Sequence, residues 1–353
     1  MAARTQAGQR WRLVGIVVGA SVLFGMVFGF FQVDNPAEDR TATLLAIGRG
    51  AWTGAVIAGL LSMFEAGAVA FPAIRRSARP PFLALLLYRS LLYLLVIVGG
   101  LWSGAAIFHI TEAPPIGWNS TTYWQVGASA TAGLAFNFLF MINRLLGPAV
   151  FRNFLTGRYH HPRIEHRVLL FADLVGSTAI AERIGDLEFH RFLNAVYGDL
   201  TRPVIATGGA IHKYVGDEMI VSWPDMPSTR IAALRCGLDA IRTLAEARTR
   251  YRGAFGAEPA IRVAVHAGPV VAGEMGDVKQ EIVYLGDAMN TAARLVDCCR
   301  TLDRPLIASG ELLDGLALPA GLDTEPMGET TIRGKSRPMA LYALTGGGGG
   351  TRE

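Results

Sequence analysis

Apolar residues dominate the first ~150 positions of the chain, and shorter apolar runs separated by polar residues follow. The hydrocarbon core of a bilayer is about 30 Å thick, so a helix needs about 20 mainly apolar residues to cross it. Four runs meet this condition: residues 13–31, 51–74, 82–110 and 123–150. The first lacks a small-residue cleavage site and is interpreted as a retained helix. The pattern predicts an α-helical membrane domain of four spans over residues 1–150.

Charges at the ends of these runs predict how the domain lies in the membrane. Cytoplasmic loops of membrane proteins carry an excess of Lys and Arg. Basic residues precede the first run, separate the second from the third and follow the fourth: Arg4, Arg10, Arg12, Arg75, Arg76, Arg79, Arg152, Arg158, Arg163 and Arg167. The other two loops are mainly acidic. We therefore expect a multi-pass protein of the cell (inner) membrane with both termini cytoplasmic and the lipid bilayer as a partner.

Two charged residues lie inside the predicted spans, Glu65 in the second and Arg89 in the third. A charge in hydrocarbon costs at least about 2.5 kcal/mol on insertion scales. The two side chains are predicted at similar depths and could pair across helices. The alternative is that Arg89 reaches the headgroups while Glu65 is protonated or faces a neighbouring helix.

The pattern changes at Phe151. Residues 151–167 are basic, rich in His and broken by Pro162, which is typical of a connector. Short apolar runs and amphipathic stretches then predict an α/β cytoplasmic domain over residues 168–345, and a Gly-rich flexible tail over 346–353. The expected order is strand 168–172, helical residues 176–208 with a break near Gly185, strands 210–215 and 218–223, helix 229–251 and strand 260–267. This is a ferredoxin-like βαββαβ core.

Beyond that core, the pattern predicts short strands at 270–273 and 281–285, a helix at 287–300, a strand at 305–309 and a closing segment at 330–344.

Composition agrees with this division. The mean hydropathy of +0.33 over 353 residues is high for a wholly soluble protein, and the excess lies in the first part. The net charge of +4 is explained by the basic residues of the predicted cytoplasmic loops. The sequence shows no run of basic residues interleaved with aromatic ones, so we do not expect nucleic acid as a partner. The three cysteines lack metal-ligand spacing and are interpreted as reduced thiols.

Two aspartates are candidate metal ligands. Asp173 ends an apolar strand and precedes Gly176, Ser177 and Thr178, which open a helix whose free N–H groups suit a phosphate. Asp217 lies at the tip of a predicted hairpin. If the hairpin lies beside the first strand, the carboxylates meet and a divalent cation would relieve their repulsion. The alternative is that Asp173 caps a helix and Asp217 only forms a turn.

Asn290 and Arg294 are four residues apart on a predicted helix and share one face. A guanidinium suits the charge that spreads over a phosphorus under attack, and an amide can orient a ribose. This spacing alone is common on helix surfaces.

The segments FADLVGST (residues 171–178), KYVGDE (213–218) and LGDAMNTAAR (285–294) resemble the class III nucleotidyl cyclases, membrane-anchored bacterial type. The resemblance implies that Asp173 and Asp217 bind two divalent cations, Mg²⁺ or Mn²⁺. It implies that Lys213 selects the purine and that Asn290 and Arg294 are catalytic. Lys335 resembles a lysine that contacts the triphosphate. The substrate implied is ATP, and the site implied lies at the interface of a homodimer, each chain supplying half.

One position departs from the family pattern. Val283 stands where adenylyl cyclases carry Asp or Thr, and valine cannot accept a hydrogen bond from adenine. Thr291, Glu281 or the backbone could supply the contact. Three hypotheses remain: a membrane-anchored adenylate cyclase, a guanylate or relaxed-purine cyclase, and a non-catalytic membrane receptor with a cyclase-like dimerisation domain.

Overall fold

The structure of the protein, a computed structural model, describes residues 2–31, 33, 36–70, 81–108, 120–278, 280–332 and 338–346. By its internal contacts the chain divides into two compact units, Met1–Phe151 and Arg152–Glu353.

The first unit is helical. Its helices are α1 (Ala2–Phe30), α2 (Arg40–Ala70), α3 (Phe82–Ile107), α4 (Ser120–Leu146) and the first turn of α5 (Pro148–Leu155). By length and composition, and within the described residues, two segments are able to cross a membrane, Arg40–Phe64 in α2 and Phe82–Gly104 in α3. The apolar stretches Val14–Phe30 and Gly133–Asn143 are shorter. Two of the four predicted spans therefore meet this criterion.

Small residues set the packing of α1 against α2. A Cβ atom on Gly25 would collide with the carbonyl oxygen of Gly50, and a Cβ atom on Gly50 would collide with that of Gly25. Such close approach of two backbones is typical of helices that associate in lipid, where small residues maximise van der Waals contact.

Arg89 is buried in the first unit, with its guanidinium carbon 5.3 Å from the centre of the Phe140 ring. Nearby, the Asn137 amide donates to the Ser90 hydroxyl over 3.0 Å and so ties α4 to α3. The side chain of Glu65, which the sequence offered as one of two ways to accommodate Arg89, lies outside the described residues.

The second unit is an α/β domain. Its elements are β1 (Arg163–Leu174), α6 (Ser177–Ile184), α7 (Asp186–Ala206), β2 (Ala210–Val215), β3 (Glu218–Pro224), α8 (Pro227–Phe255), β4 (Ile261–Met275), β5 (Glu281–Leu285), α9 (Asp287–Thr301), β6 (Leu306–Ser309), α10 (Gly310–Leu313), β7 (Leu322–Thr330) and β8 (Met339–Gly346). Eight strands among the described residues form one mixed sheet in the order β2-β3-β1-β4-β6-β8-β7, with β5 paired to β4.

The first four strands, with α6 to α8, have the predicted βαββαβ order, and β1 and β3 are central among them. Helices cover both faces because β1 is apolar on both sides. Leu170 packs with residues of α7 and α8, whereas its neighbour Leu169 packs with Leu295 and other residues of α9.

Several elements differ from the predictions, among them the short helix α10, which was not predicted, and strands β1, β4 and β7. β1 begins at Arg163, inside the predicted connector, because residues 163–167 pair with the second half of β4. β4 is one strand where two were predicted, since β1 runs beside Pro269 and bridges the break that Gly268 and Pro269 suggested. β7 was missed because Pro326 and Gly328 interrupt its pattern, and its pairing with β8 is what makes it a strand.

Candidate active site

The two candidate metal ligands meet at one end of β1. Asp173 lies opposite Glu218, the first residue of β3, and Asp217 immediately precedes Glu218 in the β2–β3 turn. The turn is tight because Gly216 adopts φ = 59°, a left-handed conformation that favours glycine. Antiparallel pairing of β1 with β3 thus carries the hairpin tip to Asp173, as the sequence suggested.

Negative charge concentrates at this edge of the sheet. Burial, and then the charge of Asp217, raises the pKa of Asp173. Burial, followed by the charges of Asp173 and Asp217, raises the pKa of Glu218 to about 7. Asp297 on α9 adds to both effects. Such repulsion is what a bound cation relieves.

The donor set fits a hard divalent cation that also binds phosphate. No group of three or more His, Cys, Asp or Glu side chains in the described residues forms a complete ligand set. Mg²⁺ is usually held by one or two carboxylates together with waters and substrate phosphates. Asp173 and Asp217 match that requirement.

A tyrosine that the sequence did not single out braces the hairpin tip. The hydroxyl of Tyr197 on α7 donates to the carbonyl oxygen of Gly216 over 2.9 Å. Its ring lies against that of Tyr214, with centroids 4.4 Å apart. Burial, and then the charge of Asp217, raises the pKa of Tyr197, so its hydroxyl stays protonated and able to donate. The position of Asp217 therefore depends on α7.

The helix after Asp173 begins as predicted. Gly176 caps α6 with φ = 69°, and Ser177 is the first helical residue. The loop before it is held by the Val175 amide, which donates to the carbonyl oxygen of Ala260 over 2.8 Å. The first N–H groups of a helix have no partner within it, so those of Ser177 and Thr178 are suited to an anion.

The residues predicted to read the purine lie on β2 and β5. The ammonium of Lys213 is 2.8 Å from a carboxylate oxygen of Glu281, and Val283 is half-buried two residues further along β5. His212, which precedes Lys213, stacks on Tyr284, which follows Val283; their ring centroids are 4.1 Å apart and their planes are 3° from parallel. Burial is the main reason that the pKa of His212 is lowered to about 4. Stacking and ion pair together hold β2 next to β5.

The other predicted residues lie on α9 or outside the described part. α9 begins after Gly286, whose φ is 136°; Asn290 is exposed and Arg294 is half-buried. Their spacing places them on one face of the helix, as predicted. Lys335 lies outside the described residues.

The predicted connector is tied to the same region. Tyr159 is fully buried, and its hydroxyl donates to Glu165 over 3.0 Å. Arg167 also donates to Glu165 over 3.0 Å, and its guanidinium carbon lies 5.4 Å from the Tyr284 ring centre. A chain of contacts thus runs from the connector to the ring that stacks on His212. Sequence patterns missed it because they described the connector only as basic and polar.

A mixed sheet covered by helices, with two carboxylates beside a helix N-terminus, defines an α/β domain whose edge is suited to a divalent cation and a phosphate group. Residues 159–346, more than half of the chain, match the family model described as the Adenylate and Guanylate cyclase catalytic domain. The chain belongs to this family.

Individual relatives agree with this assignment. The chain is 40% identical over 223 residues to Adenylate cyclase 2 of Rhizobium meliloti (strain 1021), an alignment that covers 63% of this chain and 61% of that protein. It is 24% identical over 182 residues to Adenylate cyclase of Anabaena cylindrica, covering 50% of this chain and 36% of that protein. The chain thus spans about three fifths and about a third of their lengths.

Among solved structures, a bacterial light-regulated adenylyl cyclase is similar, with a TM-score of 0.52 and 21% identity, covering 61% of this chain and 64% of that chain. This likeness concerns the fold.

Proposed function

We propose that the protein is an adenylate cyclase that converts ATP to 3′,5′-cyclic AMP and pyrophosphate. The observation that carries the proposal is the meeting of Asp173 and Asp217 beside the first turn of α6, in a domain of the cyclase family. The names of the two relatives, both adenylate cyclases, support ATP as the substrate.

The reaction needs positioning and charge stabilisation rather than a side-chain nucleophile. The 3′-oxygen of the ribose bonds to the α-phosphorus while the bond from that phosphorus to the bridging oxygen breaks; pyrophosphate leaves and the hydroxyl proton is released. Asn290 orients the ribose, Arg294 faces the negative charge that develops at the α-phosphorus, and the N–H groups of Ser177 and Thr178 bind phosphate oxygens.

Asp173 and Asp217 would hold two divalent cations, Mg²⁺ or Mn²⁺, which would lower the pKa of the attacking hydroxyl and neutralise the leaving pyrophosphate. The electrostatics of the described residues support such a site. Burial, and then neighbouring negative charge, raises the pKa of both Asp173 and Glu218, and a cation bound at this edge of the sheet would relieve the repulsion.

We also propose that the active site forms between two copies of the chain, one providing Asp173 and Asp217 and the other providing Lys213, Asn290 and Arg294. Resemblance to the family supports this arrangement. A symmetric homodimer would then contain two equivalent sites.

The helical unit is proposed to anchor the enzyme in the cell (inner) membrane with both termini cytoplasmic. The two helices that are long and apolar enough to cross a bilayer support anchoring, and the arginine-rich loops support the orientation. On this proposal residues 1–150 form the membrane domain, 151–167 the connector, 168–345 the catalytic domain and 346–353 the tail.

A guanylate or relaxed-purine cyclase is the second candidate, and Val283 favours it. The valine offers no acceptor to the adenine amino group, so part of the contact that rejects GTP is missing at this position.

The test is product identity. Purified protein comprising residues 1–353, in detergent or lipid and with Mn²⁺, should produce cyclic AMP from ATP faster than cyclic GMP from GTP. Asp173→Ala and Asp217→Ala should each lower turnover by at least about 100-fold, because the charge stabilisation at the phosphates is lost. Asp323→Ala, at an exposed site on β7, is the matched control. Substantial activity in either aspartate variant would contradict the metal assignment.

A further inference from the structure

Side chains of β2 and β5 form two separate contacts, one between His212 and Tyr284 and the other between Lys213 and Glu281. In β5, which pairs regularly with β4, Glu281 and Tyr284 are three residues apart and therefore point to opposite sides. The contacts agree: His212 stacks on Tyr284, whereas the adjacent Lys213 pairs with Glu281. Glu281 and Val283 are two apart on β5 and therefore lie on the same side of that strand. Lys213, Glu281 and Val283 thus share one surface.

An irregularity in β2 contributes to this arrangement. The pairing of β2 with β3 shifts between Ile211 and Lys213, so that His212 is an additional residue in the strand. Bulges of this kind redirect side chains and are over-represented next to active sites. Here the bulge lies at the residue that stacks on Tyr284 and immediately before Lys213.

The Lys213–Glu281 pair is open to a ligand. The side chains of Lys213 and Glu281 retain 49% and 35% of their accessible surface. An ammonium has three donors and a carboxylate about four acceptor positions, so the bond between them exhausts neither. A molecule with an acceptor next to a donor can bind to both without breaking the pair.

We infer that Glu281 is the hydrogen-bond acceptor that recognises the purine, in place of the acceptor that Val283 lacks. This inference rests on the proposed function. On its Watson–Crick edge, adenine has the N1 acceptor beside the 6-amino donor. Lys213 donates to N1, and Glu281 accepts from the amino group. Each polar group of that edge then has a partner, which is what makes recognition of a purine selective.

Thr291 is the other side chain that the sequence offered for this role. It is part of α9, on the buried face of that helix, with 0% of its surface exposed. A hydroxyl so enclosed cannot reach a nucleotide without movement of the helix. Glu281 is already in contact with the lysine of the same readout, and this favours it.

The experiment isolates the contact between Glu281 and the amino group. Purine riboside 5′-triphosphate is ATP with hydrogen in place of the 6-amino group, and it keeps N1. In the wild type, kcat/KM should be roughly 10- to 100-fold lower for this analogue than for ATP, as expected for a hydrogen bond to a charged group. In the Glu281→Ala variant, kcat/KM for ATP and for the analogue should differ by less than threefold. Glu281→Gln keeps an acceptor oxygen and should give an intermediate ratio.

Controls separate this role from a structural one. Glu329→Ala removes the same charge from an exposed site on β7 and should keep the wild-type ratio. Should the alanine variant fail to fold, Glu281→Met has nearly the size of glutamate and no carboxylate. A wild-type ratio in the folded Ala or Met variant would overturn the inference while leaving the cyclase in place. If the wild type forms no cyclic product from ATP, the proposed function fails, and the inference with it.

Discussion

Tyr197 offers a test of how the fold positions the proposed metal site. Its hydroxyl donates to the carbonyl oxygen of Gly216, and the next residue is Asp217. Tyr197→Phe removes this hydrogen bond and keeps the ring that packs against Tyr214. The substitution thus changes the support of the turn and leaves the acidic side chains in place.

The size of the effect follows from the strength of one hydrogen bond. A neutral intramolecular hydrogen bond contributes about 0.5–1.5 kcal/mol. The Gly216 turn is exposed, so water can replace the lost donor and the lower part of that range applies. If this loss of about 0.5–1 kcal/mol destabilises the conformation that binds the metal, the affinity for the metal ion falls by about two- to fivefold, since about 1.4 kcal/mol corresponds to a factor of ten.

The assay is the Mn²⁺ concentration that gives half-maximal cyclic AMP formation at saturating ATP, together with a direct Mn²⁺ titration of the protein. We expect the half-saturating concentration to rise two- to fivefold and kcat at saturating metal to change little. Tyr342→Phe on β8 is the matched control. An unchanged metal requirement in folded Tyr197→Phe protein would refute the claim that α7 positions Asp217.

Two further predictions concern assembly and pH. The Asp173→Ala and Arg294→Ala proteins, each inactive alone, should regain about one quarter of wild-type activity when they are mixed and allowed to exchange subunits. The reason is that half of the dimers are then heterodimers, and each heterodimer has one intact site out of two. No recovery despite demonstrated exchange would place the site within one chain. Burial is the main reason that the pKa of His212 falls from 6.5 to about 4 on folding. Between these pH values the unfolded chain binds the proton and the folded chain does not, so the free energy of unfolding should decrease as the pH falls. The loss should reach up to about 2 kcal/mol at pH 5, and chemical unfolding of His212→Phe should show a shallower pH dependence in this window than the wild type; equal slopes would contradict the burial of a neutral imidazole.

Sequence patterns predicted most elements of the second unit and supplied the candidate site residues. The βαββαβ order, the helix break at Gly185 and the hairpin carrying Asp217 all follow from local signals, namely apolar periodicity and glycines in turns. Asn290 and Arg294 share a helical face because helix geometry is a local property. Motifs of this kind act over a few residues, and a sequence displays them directly.

Contacts between distant segments were decided by the tertiary structure. Tyr197 lies 19 residues before the carbonyl it binds, and Lys213 lies 68 residues before Glu281, so no local spacing relates them. The start of β1 at Arg163 and the burial of Tyr159 follow from pairing with β4 and packing in the second unit, which a basic, polar segment does not reveal. A strand gains its partner, and a side chain its surroundings, only once the chain has folded. The sequence offered Glu281, Thr291 and the backbone as acceptors for the purine, and the contact of Glu281 with Lys213 in the structure favours Glu281.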